Sequence, residues 1–136
     1  YKRQILDDPV LVQKIRAFSP GIGGNPPCLI VFCLDSQRLP VMRNGTIDRT
    51  CGIIDLAMAA ENMMLAATSH GLGTCVIKSY HPQIVKKILE LPEQICPEFI
   101  VTLGYPKWKV PMPKRRSLEE ISSYNLEVSH EHGRDL

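Results

Sequence analysis

The sequence predicts an α+β fold in which a mixed sheet is flanked by helices, and three observations lead to this prediction. Two apolar runs without polar alternation, residues 28–34 and 98–103, are typical of strands covered on both faces. A long segment, residues 47–70, is apolar and free of helix breakers apart from one glycine. Strands and helices do not alternate as regular βαβ units, which favours layers of an α+β type. The length of 136 residues fits one domain over residues 1–136.

Composition and charge exclude several classes of protein. With 44% hydrophobic and 22% charged residues, the chain has the composition of a soluble globular protein. Its net charge of +2 does not by itself indicate nucleic-acid binding. No uninterrupted apolar run reaches the roughly 18 residues of a membrane span, and no signal-peptide pattern opens the chain. We therefore expect no nucleic-acid partner, no membrane insertion and a cytoplasmic location.

The cysteines support the same location. They are odd in number, lack CxxC spacing and have apolar neighbours, which predicts buried free thiols in a reducing compartment. Cys28 and Cys33 are also expected on opposite faces of one strand, because they are five residues apart. The five are Cys28, Cys33, Cys51, Cys75 and Cys96.

The first elements carry clear end signals. Asp8 as N-cap and Pro9 at the first helical position predict a helix that continues to about residue 18. The stretch 19–27 holds three glycines and three prolines, which break regular structure before the strand at 28–34.

The segment 47–70 predicts the longest helix, which Gly71 is placed to end. Its polar residues recur every seven positions and form one narrow stripe: Asp48, Asp55, Asn62 and Ser69. A helix that is apolar around the rest of its circumference must be buried on several sides, and one side is expected to contact a second subunit. Met58 and Leu65 are expected on that interface, opposite the stripe.

Shorter elements complete the pattern. Residues 75–77 predict a strand, residues 82–89 a helix opened by Pro82, and residues 98–103 a buried strand that Gly104 stops. A short segment follows at 118–121, and a polar tail ends the chain.

Several motifs in order resemble the FMN-dependent nitroreductase family. They are Ala59-Ala60-Glu61-Asn62-Met63-Met64-Leu65-Ala66-Ala67, Gly71-Leu72-Gly73-Thr74-Cys75, Val85-Lys86-Lys87-Ile88-Leu89 with Leu91-Pro92-Glu93, Ile100-Val101-Thr102-Leu103-Gly104-Tyr105-Pro106, and Lys114-Arg115-Arg116-Ser117-Leu118-Glu119-Glu120-Ile121. The resemblance covers nearly the whole chain. It implies FMN as cofactor, NADH or NADPH as electron donor, and a homodimer with two flavins at its interface.

The resemblance also implies the site residues. Val76, Ile77, Lys78 and Ser79 would run along the flavin ring, with backbone groups near Lys78 and Ser79 facing its N5 and O4 edge. Lys114 and Arg116 match the family's pair of phosphate-binding cations, with Arg115 as the reserve. Without the resemblance, residues 71–74 read as a helix end with a tight turn, and residues 114–116 as a solvated basic turn.

One departure from the family pattern concerns the beginning of the chain. The family's Arg-Arg-Ser and Asn-x-Gln-Pro type segments, which contact the flavin, have no counterpart here. The sequence is therefore expected to lack the family's N-terminal third, either as a fragment or as a shortened member.

The function implied is hydride transfer from NAD(P)H through FMN to a nitroaromatic or quinone-like acceptor, with no catalytic side chain. Two alternatives remain open: a non-catalytic dimerisation remnant that has lost flavin, and a flavoenzyme of the same fold with dehalogenating or flavin-fragmenting chemistry. A metal site is not expected, because His130 and His132 have no third ligand nearby. Trp108, between two lysines, is interpreted as a packing anchor rather than a nucleic-acid contact.

Overall fold

The computed structural model describes residues 2–108 and 111–124, and within them the α+β class is confirmed. In chain order the elements are β1 (Lys2–Leu6), α1 (Pro9–Ala17), β2 (Cys28–Asp35), a 3₁₀ turn (Ser36–Arg38), α2 (Arg49–Ser69), β3 (Gly73–Ile77), α3 (Pro82–Ile88), β4 (Ile95–Gly104) and α4 (Leu118–Ile121). The strands form one sheet in the order β1-β2-β4-β3, and each neighbouring pair is antiparallel.

The central strand β2 has a core on each of its faces, which explains its unbroken apolar sequence. Leu29, Val31 and Cys33 pack in one cluster with α1 and α3. Ile30, Phe32 and Leu34 pack in a second cluster with α2. Because side chains alternate along a strand, a sheet covered by helices on both sides needs apolar residues at every position.

Helix α2 ends before Gly71 as predicted, but it begins at Arg49, so Asp48, predicted to lie within the helix, is its N-cap. The Asp48 carboxylate caps its first turn by accepting a hydrogen bond of 3.0 Å from the Cys51 N–H. At the other end Gly71 has a φ of 72°, which lies in the left-handed region that favours glycine. The helix packs closely on the sheet at Gly52, where an added Cβ would lie 3.0 Å from Leu34 Cδ2.

Within one chain, α2 is buried on one face only. Its buried residues are Gly52, Leu56, Ala60 and Ala67, which repeat at helical spacing. On the far side Met58 and Leu65 are 56% and 60% exposed. The predicted burial on several sides is therefore not met within a single chain, and the second subunit stays a prediction.

The predicted position of Met58 and Leu65 relative to the polar stripe is wrong. Met58 lies three residues after Asp55, and Leu65 three residues after Asn62, so on a helix each is a neighbour of the stripe. The two side chains lie opposite the buried face instead. An outward apolar patch bordered by polar residues results.

By length and composition alone, α2 could also cross a membrane. It has 21 residues, a mean hydropathy of 1.2 in its most apolar window, and 22% of that window buried in the structure. A core helix of a soluble protein meets the same criterion. In this structure, Leu56 and Ala60 pack against the sheet, as a core helix does.

The prediction that all five cysteines are buried is wrong. Only Cys33 is buried, whereas Cys51 in the first turn of α2 and Cys75 on the edge strand β3 are exposed. None of the five, all of which lie in the described part of the chain, forms a disulfide, as expected. Cys28 and Cys33 lie on opposite faces of β2, each against a different core cluster.

Candidate functional site

The segment from Val76 to Ser79 begins as strand and ends as irregular chain. Val76 and Ile77 are the last residues of β3, the edge strand of the sheet, and Lys78 and Ser79 follow its end. The Ile77 side chain is buried in the core beside α1 and α3, whereas Val76 is 49% exposed. A ligand at this edge would therefore meet the Val76 side chain and the backbone of the residues after it.

The N–H groups of Lys78 and Ser79, just after β3, are the candidate backbone donors to such a ligand. In the described part of the chain, no backbone–backbone hydrogen bond outside the regular elements uses the N–H of Lys78 or Ser79 as its donor. The next two N–H groups are engaged: Tyr80 donates to the Lys78 carbonyl at 3.2 Å and His81 to the Phe18 carbonyl at 2.9 Å. Exposed N–H groups of fixed direction suit an electron-rich ligand edge.

The loop after α1 holds this segment from the core side. The Gly21 N–H donates to the Ser79 carbonyl at 3.2 Å. A Cβ on Gly21 would lie 3.0 Å from Ile77 Cγ2 and 3.2 Å from Ser79 Cβ, so glycine permits the close approach. The glycine-rich loop, interpreted from sequence only as a break, thus positions the candidate segment.

The structure adds an ion cluster that the sequence interpretation did not include. Glu98, buried at 5% exposure on β4, pairs through Oε1 with Nη2 of Arg49, the first residue of α2. Its Oε2 lies 3.9 Å from Lys78 Nζ, and its backbone carbonyl accepts a hydrogen bond of 2.5 Å from the same Nζ. The only sequence signal was an acidic residue at the start of a buried strand, a position that requires a charged partner.

Tyr80 completes the surroundings of this cluster. Its ring is buried with the α1–α3 core, and its hydroxyl has no hydrogen-bond partner among the described residues. Burial, reinforced by the negative charge of Glu98, raises the pKa of the Tyr80 hydroxyl well above its usual range. The hydroxyl therefore stays protonated in the folded protein.

Tyr80→Phe is expected to leave the free energy of unfolding at pH 7 unchanged or to raise it by about 1 kcal/mol, because a buried hydroxyl without a partner is costly. Above about pH 10 the unfolded chain gains a tyrosinate that the folded chain does not, so the stability of the unmodified protein falls as pH rises. In the Tyr80→Phe variant the free energy of unfolding should fall less above about pH 10, because the variant has no hydroxyl to ionise at this position. Urea unfolding of both proteins at pH 7 and above pH 10 measures it; a variant destabilised by several kcal/mol at pH 7 would show that the hydroxyl is bonded.

The basic cluster lies on an exposed stretch before α4. Lys114, Arg115 and Arg116 are all exposed, and Ser117 follows as N-cap of α4 in a capping box with Glu120. No hydrogen bond or ion pair between described residues joins Lys114 or Arg116 to the segment 76–79. The structure therefore presents the two candidate groups separately, each accessible to a ligand.

A shallow cleft of about 330 Å³ lies at the end of the sheet near Cys75. The start of β3, the end of β4 and the aromatic residues Tyr105 and Trp108 line it. Trp108 is largely exposed, so its interpretation as a packing anchor is wrong. The flanking Lys109 and the histidines at 130 and 132 lie outside the described residues.

Comparison with known proteins gives the family. The model of the nitroreductase family matches residues 6–105 of the chain. A Bacillus subtilis protein named FMN reductase (NADPH) is 33% identical, over 77% of this chain and 51% of its own length. The oxygen-insensitive NADPH nitroreductase of Salmonella typhimurium is 35% identical, over 56% of this chain and 35% of its own length.

A solved structure from Bacteroides thetaiotaomicron, titled as an NADH dehydrogenase or NAD(P)H nitroreductase, is also similar. It superposes with a TM-score of 0.71 at 28% identity, over 91% of this chain and 71% of that chain. The chain thus spans about half the length of the first curated relative and less of the second. With the family match over most of its residues, the chain belongs to the nitroreductase family.

Proposed function

We propose that this chain forms part of an FMN-dependent oxidoreductase that takes a hydride from NADH or NADPH and passes electrons to an electron-poor acceptor. Family membership supports the proposal most strongly. The two curated relatives described above carry names that state FMN or NADPH use, or both. Nitroaromatic and quinone-like compounds are the proposed acceptors.

The described residues fit FMN at two places. Lys78 and Ser79 are exposed at the end of the edge strand, where their N–H groups would suit the polar N5 and O4 edge of a flavin. Lys114 and Arg116 are exposed cations with no bond to a described partner, so both can contact a phosphate. Val76, which is half-exposed on the edge strand, offers apolar contact to a ring.

These residues would bind and orient the cofactor rather than move protons. When bound, FMN supplies the hydride-accepting and electron-donating chemistry. Ile77 contributes through its backbone, because its side chain belongs to the core. Lys78 and Ser79 donate hydrogen bonds from the main chain, whose aim does not depend on a side-chain rotamer.

The proposed oligomer is a homodimer in which α2 contacts its partner. The outward face of α2 carries Ile54, Met58 and Leu65, all exposed in the single chain. Apolar patches of this kind on a surface helix mark association sites.

Anaerobic mixing tests the proposed activity. The protein from the complete reading frame, loaded with FMN, is mixed with NADPH or NADH, and the visible flavin absorption band is followed. We expect the band to bleach within seconds and to return when a quinone or nitroaromatic compound is added. An FMN-loaded protein that neither nucleotide reduces would contradict the activity while leaving FMN binding intact.

A further inference from the structure

The sheet edge is open beside the candidate segment. Strand β3 pairs with residues 100–104 of β4 only, so residues 95–99 extend beyond its end. Backbone carbonyls on such an edge require another partner. The Lys78 ammonium supplies it, donating to the Glu98 carbonyl at 2.5 Å. At this edge a lysine side chain, rather than a further strand, donates the hydrogen bond to the β4 carbonyl.

Glu98 connects three elements through two cations. Its buried carboxylate, on β4, contacts Arg49 at the start of α2 and Lys78 after the end of β3. The Glu98 side chain is 6% exposed, whereas that of Lys78 is 75% exposed. The carboxylate is thus the fixed centre of the cluster, because a buried charge of this kind is stable only while paired.

Other hydrogen bonds fasten Ser79 and His81 to the loop after α1, whereas the Lys78 carbonyl accepts only a local one of 3.2 Å, from the Tyr80 N–H, among the backbone–backbone bonds recorded outside the regular elements of the described chain. The Ser79 carbonyl and the His81 N–H bond to the loop at Gly21 and Phe18. Lys78 lies between Ile77, the last paired residue of β3, and Ser79, whose carbonyl is hydrogen-bonded to the loop after α1. Its side-chain contacts with Glu98 join this junction to the neighbouring strand β4, which the local Tyr80–Lys78 hydrogen bond does not do.

We propose that Glu98 is a positioning residue that acts through Lys78, with Arg49 balancing its charge, to aim the N–H groups of residues 78 and 79 at the flavin edge. This inference rests on the proposed function. Donors at a reacting edge accelerate the reaction only while they are held in place. Loosening Lys78 should therefore slow flavin reduction much more than it weakens FMN binding, since the phosphate contacts lie elsewhere in the chain.

Four single variants of the protein from the complete reading frame, and the double variant Lys78→Met/Glu98→Gln, test this. Lys78→Met removes the ammonium and keeps an unbranched side chain; Glu98→Gln removes the carboxylate charge; Lys78→Arg is the rescue. Lys87→Met is the matched control, because Lys87 is an exposed lysine on α3 outside the cluster. The readouts are the FMN dissociation constant, the rate of flavin reduction by NADPH, and hydrogen exchange of the Tyr80 and His81 amides without flavin.

We expect Lys78→Met and Glu98→Gln each to slow reduction about tenfold or more, with the FMN dissociation constant changed by less than about threefold. Both should speed exchange at Tyr80 and His81, and the double variant should be little slower than either single one. Lys78→Arg should restore the rate, and Lys87→Met should change nothing. If Glu98→Gln fails to fold, Lys78→Met still tests the inference, because the Lys78 side chain is exposed and its replacement should not affect folding.

Two results overturn the inference while leaving the proposed function standing: an unchanged reduction rate in Lys78→Met, or a loss of FMN affinity that matches the loss of rate. If the unmodified protein does not bind FMN, the proposed function fails, and this inference fails with it. Slow hydrogen exchange at Tyr80 and His81 in a protein that does not bind FMN would show that the protein is folded, so that the failure to bind FMN is not caused by misfolding.

Discussion

Leu65→Asp is expected to convert the protein from a dimer into a monomer. Leu65 lies with Met58 on the outward face of α2, opposite the residues that pack on the sheet. Burying an unpaired carboxylate in an apolar interface costs several kcal/mol, and each 1.4 kcal/mol weakens association about tenfold. The dimer dissociation constant should therefore rise by about a hundredfold or more.

The 60% exposure of Leu65 in the single chain makes this test specific. A new charge there disturbs no contact of the folded chain, so circular dichroism should be unchanged. Asn62→Asp, which adds the same charge on the polar stripe one turn away, is the control and should remain dimeric. Sedimentation velocity at micromolar concentration measures both; an unmodified protein that sediments as a monomer would contradict the predicted interface.

Arg116→Ala is expected to weaken FMN binding by about ten- to a hundredfold. A hydrogen bond between a guanidinium and a phosphate contributes about 1.5–3 kcal/mol, which corresponds to that range of affinity. Arg116 is exposed and immediately precedes the N-cap of α4, so its removal should not affect the fold. FMN titration followed by flavin fluorescence gives the affinity of each protein.

Arg115→Ala is the matched control, because Arg115 is the neighbouring exposed arginine and is not the proposed phosphate contact. Arg115→Ala should weaken FMN binding much less than Arg116→Ala does. Riboflavin, which lacks the phosphate, should bind the unmodified protein and the Arg116 variant almost equally. Equal FMN affinity of the two proteins would refute the phosphate contact while leaving the rest of the account open.

The elements predicted correctly are those with local signals. Asp8 and Pro9 mark the beginning of α1, and its cap bond from the Leu11 N–H to Asp8 is present at 2.7 Å. Gly71 likewise marks the end of α2, whereas the cap at Asp48 was not predicted. Cap residues act within one turn of chain, so the sequence contains the whole interaction.

Strand β1 was missed because its signal is not local. Lys2–Leu6 begins with charged residues and shows no clear alternation, yet it pairs in register with β2, from Lys2 opposite Cys33 to Leu6 opposite Leu29. An edge strand obtains its conformation from the neighbour with which it pairs. β4 was underestimated for a related reason: Pro97 and Glu98 are poor strand formers, but they pair with or lie beside the end of β2.

The site shows the same division between local and distant signals. Motif order predicted the segment 76–79 and the basic cluster as site residues, and both are continuous in sequence. The contacts of Glu98 bring together residues 49, 78 and 98, and no short window of sequence contains them.

Binding of FMN to the protein from the complete reading frame tests the central proposal most directly. The purified protein, freed of cofactor, is titrated with FMN while the visible absorption spectrum and the flavin fluorescence are recorded. The account predicts saturable binding of one FMN per chain, with riboflavin bound more weakly because it lacks the phosphate. A folded protein that binds neither compound would contradict the account.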